Sequence, residues 1–294
     1  NEIRSVAPLV YYHVWDNLPY PTFNRKWYLS NDVVASISKV TDDIVRNVAP
    51  EVDLVRIPHA VNDNVFIRIE DEKLIENFKK ENSIGVDNNG NKRFTFFWNN
   101  RNARRKQSGS LMFWFNDFLD KVGRDKATLI MHTEPKDPNG QDLIAIKDRL
   151  KLDDDQFKLS MSKLSMEQLS VLYNACDCTI NISDAEGFGL ATLESLATET
   201  PIIVNMTGGL QEQVTDGKEW FGIGINPSSK AIIGSQEVPW IYEDRINGED
   251  LVNAMVEMFE KSEEERRELG KKGRGHVLKN YSMEKYISLW DKDA

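Results

Sequence analysis

At 294 residues, 40% hydrophobic and 29% charged, the chain is long enough to bury one large core or two ordinary ones. Its formal net charge of −10 argues against a nucleic-acid or anionic-membrane partner, because either surface would repel the long-range field. No run approaches the roughly 18 to 20 apolar residues of a membrane span, and the N-terminus lacks a signal-peptide pattern, so a cytoplasmic location is expected. Peripheral membrane contact stays open.

A strand is expected over Pro8–Trp15, followed by a turn-rich segment over Asp16–Pro21. A second strand falls at Val33–Ser36, a helix at Thr41–Val48 and a third strand at Leu54–Ile57. This alternation of β and α is the pattern of a parallel sheet. Pro58–Arg68 breaks it and reads as an interdomain linker. A charged helix is expected over Glu70–Glu81 and a disordered turn over Val86–Lys92. Alternation then resumes, with strands at Phe94–Trp98, Thr128–His132, Phe157–Ser160, Cys178–Ile182, Pro201–Asn205 and near Gly222–Ile225. Helices are expected at Gly109–Val122, Asp142–Leu150, Met166–Ala175, Leu190–Thr198 and Gly209–Val214. Six strands with helical crossovers make a doubly wound sheet, whose ligands bind beyond the carboxyl ends of the strands. Gly248–Tyr281 reads as helical and strongly charged, with the Glu263–Lys272 run a solvated helix face, and a last amphipathic helix runs from Ser282 to about Trp290. Cys176 and Cys178 stand at alternate positions and point to opposite faces, so both are expected reduced and buried.

Ser183–Glu194, SDAEGFGLATLE, follows a strand and opens a helix. Gly187 and Gly189 let backbone approach a ligand closely, and the helix beginning near Leu190 offers unpaired N–H groups suited to phosphate. Glu194, about one turn into the helix, can accept hydrogen bonds from the vicinal hydroxyls of a ribose. Glu186, before the turn, would face a sugar. A second signal is the basic run Arg101–Lys106 directly after the Phe94–Trp98 strand, since fixed cations stabilise a departing diphosphate. Asp153-Asp154-Asp155 could suggest a metal, but its place between a helix and a strand, at the other end of the sheet, makes it a solvated turn. No His/Cys cluster has metal-ligand spacing, so no metal and no cofactor are expected.

The series EGFGL, then LE, a small-residue helix, Pro201–Val204, Thr207-Gly208-Gly209 and Glu212 resembles the family-4 retaining glycosyltransferases of the two-domain GT-B type. The resemblance implies two Rossmann-like domains. They would comprise an incomplete acceptor-side domain over 1–62, a nucleotide-sugar domain with a six-stranded doubly wound parallel sheet over 63–275, and a C-terminal helix over 276–294 packing back on the first. It implies a chain shortened at its N-terminus, in keeping with a start at Asn1. The implied function is transfer of a hexose-type sugar from a nucleoside diphosphate sugar to an acceptor hydroxyl with retained configuration. The acceptor, whether glycan, lipid or protein, stays open. A non-catalytic nucleotide-sugar-binding module and a sugar-nucleotide epimerase are the alternatives.

By the same resemblance, Arg101 and Lys106 serve the leaving group and Glu186 meets the donor sugar. Gly187, Phe188, Gly189, Leu190 and Glu194 hold the donor, Ser162 lies where the nucleobase is held, and His132 lines the same cleft. His13 is expected as a catalytic contact and Asp16 on the acceptor side, both ending a strand that faces the cleft. Asn100 stands where the family usually has glycine, and Ile57-Pro58-His59-Ala60-Val61-Asn62 departs from its commonest linker at Ala60 and Asn62.

Overall fold

The computed structural model describes residues 3–238 and 240–293; residues 1, 2 and 294, at the ends of the two outer segments expected from the resemblance, lie outside it. The N-terminal unit comprises β1 (Val10–His13), α1 (Arg25–Leu29), β2 (Val33–Ser36), α2 (Lys39–Val48) and β3 (Asp53–Arg56). Its three strands are parallel in the order β1-β2-β3. α2 starts where the sequence allows: Ser38 and Thr41 form a reciprocal capping box, and Ile44, Val45 and Val48 face the small core.

After the linker come α3 (Glu72–Glu81), β4 (Phe94–Asn99), α4 (Ser108–Val122), β5 (Ala127–His132), α5 (Leu143–Leu150) and β6 (Phe157–Ser160). They continue as α6 (Met166–Ala175), β7 (Cys178–Asn181), α7 (Leu190–Ala197), β8 (Ile202–Asn205), α8 (Leu210–Val214) and β9 (Ile223–Ile225). The strands form one parallel sheet in the order β6-β5-β4-β7-β8-β9, covered by helices on both faces. Such a strand has no solvent face, which is why Phe94–Trp98 is apolar on both faces except at Thr95 and is buried throughout. Order reverses between β4 and β7, so the loops after these two strands meet at the switch point. Cys178 and Cys176 are free and buried in the cores on opposite faces.

Three elements differ from the sequence reading. The segment Val86–Lys92 is an ordered turn, closed by a bridge between its ends and by Asp87, which accepts from the N–H groups of Asn89 and Asn91. A two-stranded antiparallel hairpin, β10 (Ser229–Ile233) with β11 (Ile241–Arg245), follows β9 and was not expected. The stretch from Gly248 is two helices, α9 (Gly248–Glu260) and α10 (Glu263–Asn280), because Ser262 and Glu265 form a capping box that starts a new helix. α10 is not simply solvated. A Cβ on Gly270 would lie 2.1 Å from the Glu199 carbonyl oxygen and one on Gly273 2.7 Å from Leu196, so bare backbone seats α10 against α7.

The last helix, α11 (Met283–Asp293), begins after α10, beyond the residue 276 boundary read from sequence. It returns to the N-terminal unit, where Trp290 meets Tyr12 at 5.5 Å between rings, and its Met283 N–H donates to Asp63 of the linker at 2.9 Å. Among the described residues no helix is long and apolar enough to cross a membrane.

Candidate active site

The loop after β4 carries four basic residues, and local geometry brings two of them to Glu186 and sends the other two elsewhere. Asn102, fully buried, anchors it by donating to the carbonyls of Pro135 and Gln141 and accepting from Ser108. Arg104–Lys106 then make a 3₁₀ turn ended by Gln107 in the left-handed region. Three residues per turn fan successive side chains apart. Arg104 goes to Glu243 on β11 through two bonds of 2.8 and 2.6 Å. Arg105 donates to the Ala185 carbonyl at 2.9 Å and stands 3.7 Å from Glu186. Lys106 places its ammonium directly on Glu186 Oε2. Burial draws the Lys106 pKa down, opposed chiefly by the Glu186 charge.

The opposing loop, after β7, is held from behind. Asp184 is buried, pairs with Arg245 at 3.0 Å, accepts from Gln107 and has its carboxyl pushed up to about 6 by burial. Gly208 and Gly209 lie under the turn: the Gly209 N–H donates to the Glu186 carbonyl at 2.9 Å, and a Cβ on Gly208 would be 2.0 Å from that oxygen. The Thr207-Gly208-Gly209 element therefore shapes the Glu186 turn by close packing. Gly189, with φ 93°, is the N-cap of α7, and no side chain caps this end. The N–H groups of Gly189, Leu190 and Ala191 carry no hydrogen bond among the described residues. They give the helix start a partial positive charge open to an anion.

These pieces line a cleft of about 510 Å³ between the two sheets, with Arg105, Lys106 and Glu186 on one wall and Val14, Asp16, Ile37 and His59 on the other. Gly187 lets the walls approach, since a Cβ there would lie 3.0 Å from the Val14 carbonyl oxygen. Asp16 has its pKa raised to about 6, first by burial and then by the Glu186 charge.

The chain's matches to known proteins bear on this arrangement. Residues 143–276 match the model of the family described as glycosyl transferases group 1. The match holds the Glu186 turn and α7; the Arg101–Lys106 loop precedes it. A D-inositol 3-phosphate glycosyltransferase from Corynebacterium urealyticum is 44% identical over 52 residues, 18% of this chain and 12% of that protein. Sucrose-phosphate synthase from Thermosynechococcus elongatus superposes with TM-score 0.70 at 20% identity, over 91% of this chain and 59% of that one. Trehalose 6-phosphate synthase from Burkholderia multivorans gives TM-score 0.75 at 11% identity, over 99% and 67%. Anabaena Alr3699/HepE, solved in complex with UDP and glucose, gives 0.71 at 14%, over 99% and 72%. The chain has a GT-B fold. The chain spans 12% of its curated relative and 59% of the sucrose-phosphate synthase.

On this GT-B fold, Lys106, Glu186, Gly187, Phe188, Gly189, Leu190 and Asp16 come together in the cleft. Glu194 lies just beyond its lining: Oε2 accepts from Tyr173 at 2.8 Å and Asn99 at 3.3 Å, and burial raises its pKa. Four of the expected residues lie outside the cleft lining. Arg101 turns away from the cleft to Asp137, with bonds of 2.6 and 3.1 Å and 63% of its side chain exposed; Arg105 takes the place beside Lys106. His13 is wholly buried in the N-terminal unit, its Nε2 2.8 Å from Tyr28 Oη and its pKa lowered to about 4 by burial. His132 ends β5 bonded to Ser160 Oγ at 2.8 Å and does not line the cleft. Ser162 is exposed and also outside that lining.

The cleft histidine is His59, which the sequence reading left in the linker. Its Nδ1 lies 3.0 Å from Tyr12 Oη and its ring meets Phe188 edge-on at 5.3 Å; burial lowers its pKa. Asn100 also lines the cleft, with a buried Nδ2 that has no hydrogen-bond partner among the described residues. Asp153 caps its own turn by accepting from Asp155 and Gln156. Among the described residues no three His, Cys, Asp or Glu side chains are gathered as metal ligands.

Proposed function

We propose that the protein is a retaining glycosyltransferase that moves a hexose-type sugar from a nucleoside diphosphate sugar to an acceptor hydroxyl without a metal. The observation that carries this reading is the meeting of Arg105, Lys106 and Glu186 with the uncapped start of α7 at the sheet's switch point. The diphosphate lies against the N–H groups of α7 and the two cations, which stabilise the charge it gains on departure. The second oxygen of Glu194 holds the ribose, while Oε2 stays on Tyr173 and Asn99. Glu186, engaged by two cations, orients the sugar and is a poor nucleophile, which favours departure and attack on one face. The bond from the anomeric carbon to phosphate oxygen breaks as the bond to the acceptor oxygen forms, and a phosphate oxygen takes the acceptor proton. Asp16, on the opposite wall, meets the acceptor.

Calorimetry against a panel of nucleoside diphosphate sugars in EDTA, with NMR of the product anomer for candidate acceptors, tests this. Retained configuration with metal chelated supports the proposal. Tight binding with no transfer would make the chain a nucleotide-sugar module, and acceptor-independent isomerisation would make it an epimerase.

A further inference from the structure

A second cavity, of about 620 Å³, shares no lining residue with the cleft and opens on the same seam between the two sheets. The N-terminal unit contributes Lys39 at the start of α2 and Arg56 at the end of β3; Lys272 and Lys279 come from α10 and Lys285 from α11. Lys272 stands 3.4 Å from Glu219, while Lys39, Arg56, Lys279 and Lys285 have no carboxylate within ion-pair distance among the described residues. The cavity's three carboxylates are already engaged. Glu212 accepts the Lys39 N–H at 2.8 Å, Asp216 accepts those of Lys218 and Glu219 at 2.9 Å, and Glu219 takes Lys272.

The cations converge on common groups: Lys39 and Arg56 both act on Glu212, and Lys39 and Lys279 both depress His276. His276 lies flat on Phe221, rings 4.4 Å apart, forming an aromatic wall. In a chain of net charge −10, this is a local concentration of the opposite sign. Glu212 offsets part of the repulsion between Lys39 and Arg56, and an added anion would offset what remains among cations brought by separate elements across the seam.

We propose that this cavity binds a small, soluble, multiply charged phosphoryl compound, of diphosphate or sugar-phosphate size, bridging the two sheets. Glu212 stands on α8, directly after the glycines that back Glu186, so occupancy bears on the same rigid element that shapes the donor turn. The proposal does not depend on the transferase reading, because no residue is shared.

The test is titration of the full chain with inorganic pyrophosphate, followed by calorimetry and by amide NMR. The expected result is saturable shifts at Gly275 and Asn280, with affinity for that site at least about tenfold weaker in the double variant Arg56→Gln/Lys279→Gln. An Arg105→Gln/Lys106→Gln variant keeps those shifts, which separates this cavity from anion binding in the cleft. Absence of shifts at Gly275 and Asn280, or unchanged affinity in the first double variant, overturns the proposal. So does charge-dependent co-sedimentation with phosphatidylglycerol vesicles in place of pyrophosphate binding, which would assign the cations to a lipid headgroup. Both substituted side chains are exposed; an unchanged thermal midpoint confirms folding, and Lys285→Gln is the substitute if it moves.

Discussion

The ammonium of Lys106 rests on the Glu186 carboxylate where the loops after β4 and β7 meet, and Arg105 approaches the same oxygen to 3.7 Å. Both partners are nearly closed off, at 9% and 13% side-chain exposure, so water screens the pair little. Under the proposed function, a donor diphosphate arriving here gives Lys106 a second anion. Lys106→Met is expected to lower kcat by about 10² to 10³, with a smaller loss of donor affinity, because the interaction grows as charge develops. Parallel steady-state kinetics and donor titration check this; equal losses in both would place Lys106 in ground-state binding only.

Arg101→Ala should behave differently. Its ion pair with Asp137 is exposed, and such pairs contribute little. Turnover and donor affinity are expected within about twofold of the parent, whereas Arg105→Ala should lower kcat clearly. A large kinetic effect at Arg101 would restore the role the spacing alone suggested.

That contrast marks what the sequence could and could not convey. Phe94–Trp98, apolar except at Thr95, and the continuous apolar run Ile202–Val204 fit strands covered on both faces, so the central sheet was legible. The Glu186–Glu194 spacing was legible because a glycine turn sets the entry of the helix that carries the second glutamate. A run of four basic residues carries no record of which way each points; that was decided by the buried Asn102 anchor and the turn ended at Gln107. Orientation was equally hidden: His13 turns inward to Tyr28, and the cleft receives His59 from a segment with no periodicity to read. The hairpin's partners, such as Asp184 with the Asp244 N–H, are distant in sequence and invisible before folding.

Tyr173 and Asn99 both hold Glu194 in place, Tyr173 by the shorter bond. Losing a hydrogen bond to a charged group costs roughly 1.5 to 3 kcal/mol, so Glu194→Ala should weaken donor binding about ten- to a hundred-fold. Tyr173→Phe, which frees the carboxylate without removing it, should give a smaller loss. Calorimetry with the preferred donor checks both. Parent-like binding by Glu194→Ala would remove it from the ribose.

Asp16 supplies a pH signature. Its folded pKa of about 6 lies above the ordinary 3.8, so between these values the folded chain holds a proton the unfolded chain has lost. Stability from this group is therefore full below pH 4 and declines as pH rises through 6, by at most about 3 kcal/mol. Asp16→Asn removes the loss, and its thermal midpoint should overtake the parent's between about pH 4 and pH 6. Asp184, with the same raised value, acts in that window in both proteins, so the comparison isolates Asp16. Parallel midpoint curves would show that Asp16 is not desolvated.

The last expectation concerns the glycines beneath the donor turn. Gly208 has φ 50°, and a side chain there would collide with the Glu186 carbonyl, so Gly208→Ala must displace the turn or strain it. Overpacking of this kind costs about 1 to 3 kcal/mol. Because the displaced atoms belong to Glu186, donor affinity should fall alongside the thermal midpoint. Gly275 provides the control: it lies within α10, with nothing near its would-be Cβ and no positive φ. Gly275→Ala should stabilise by about 0.5 to 1 kcal/mol through helix propensity and leave donor affinity unchanged. If Gly208→Ala keeps full donor affinity, Glu186 is not positioned by the Gly208-Gly209 backing, and the turn must draw its shape from Lys106 and Arg105 alone.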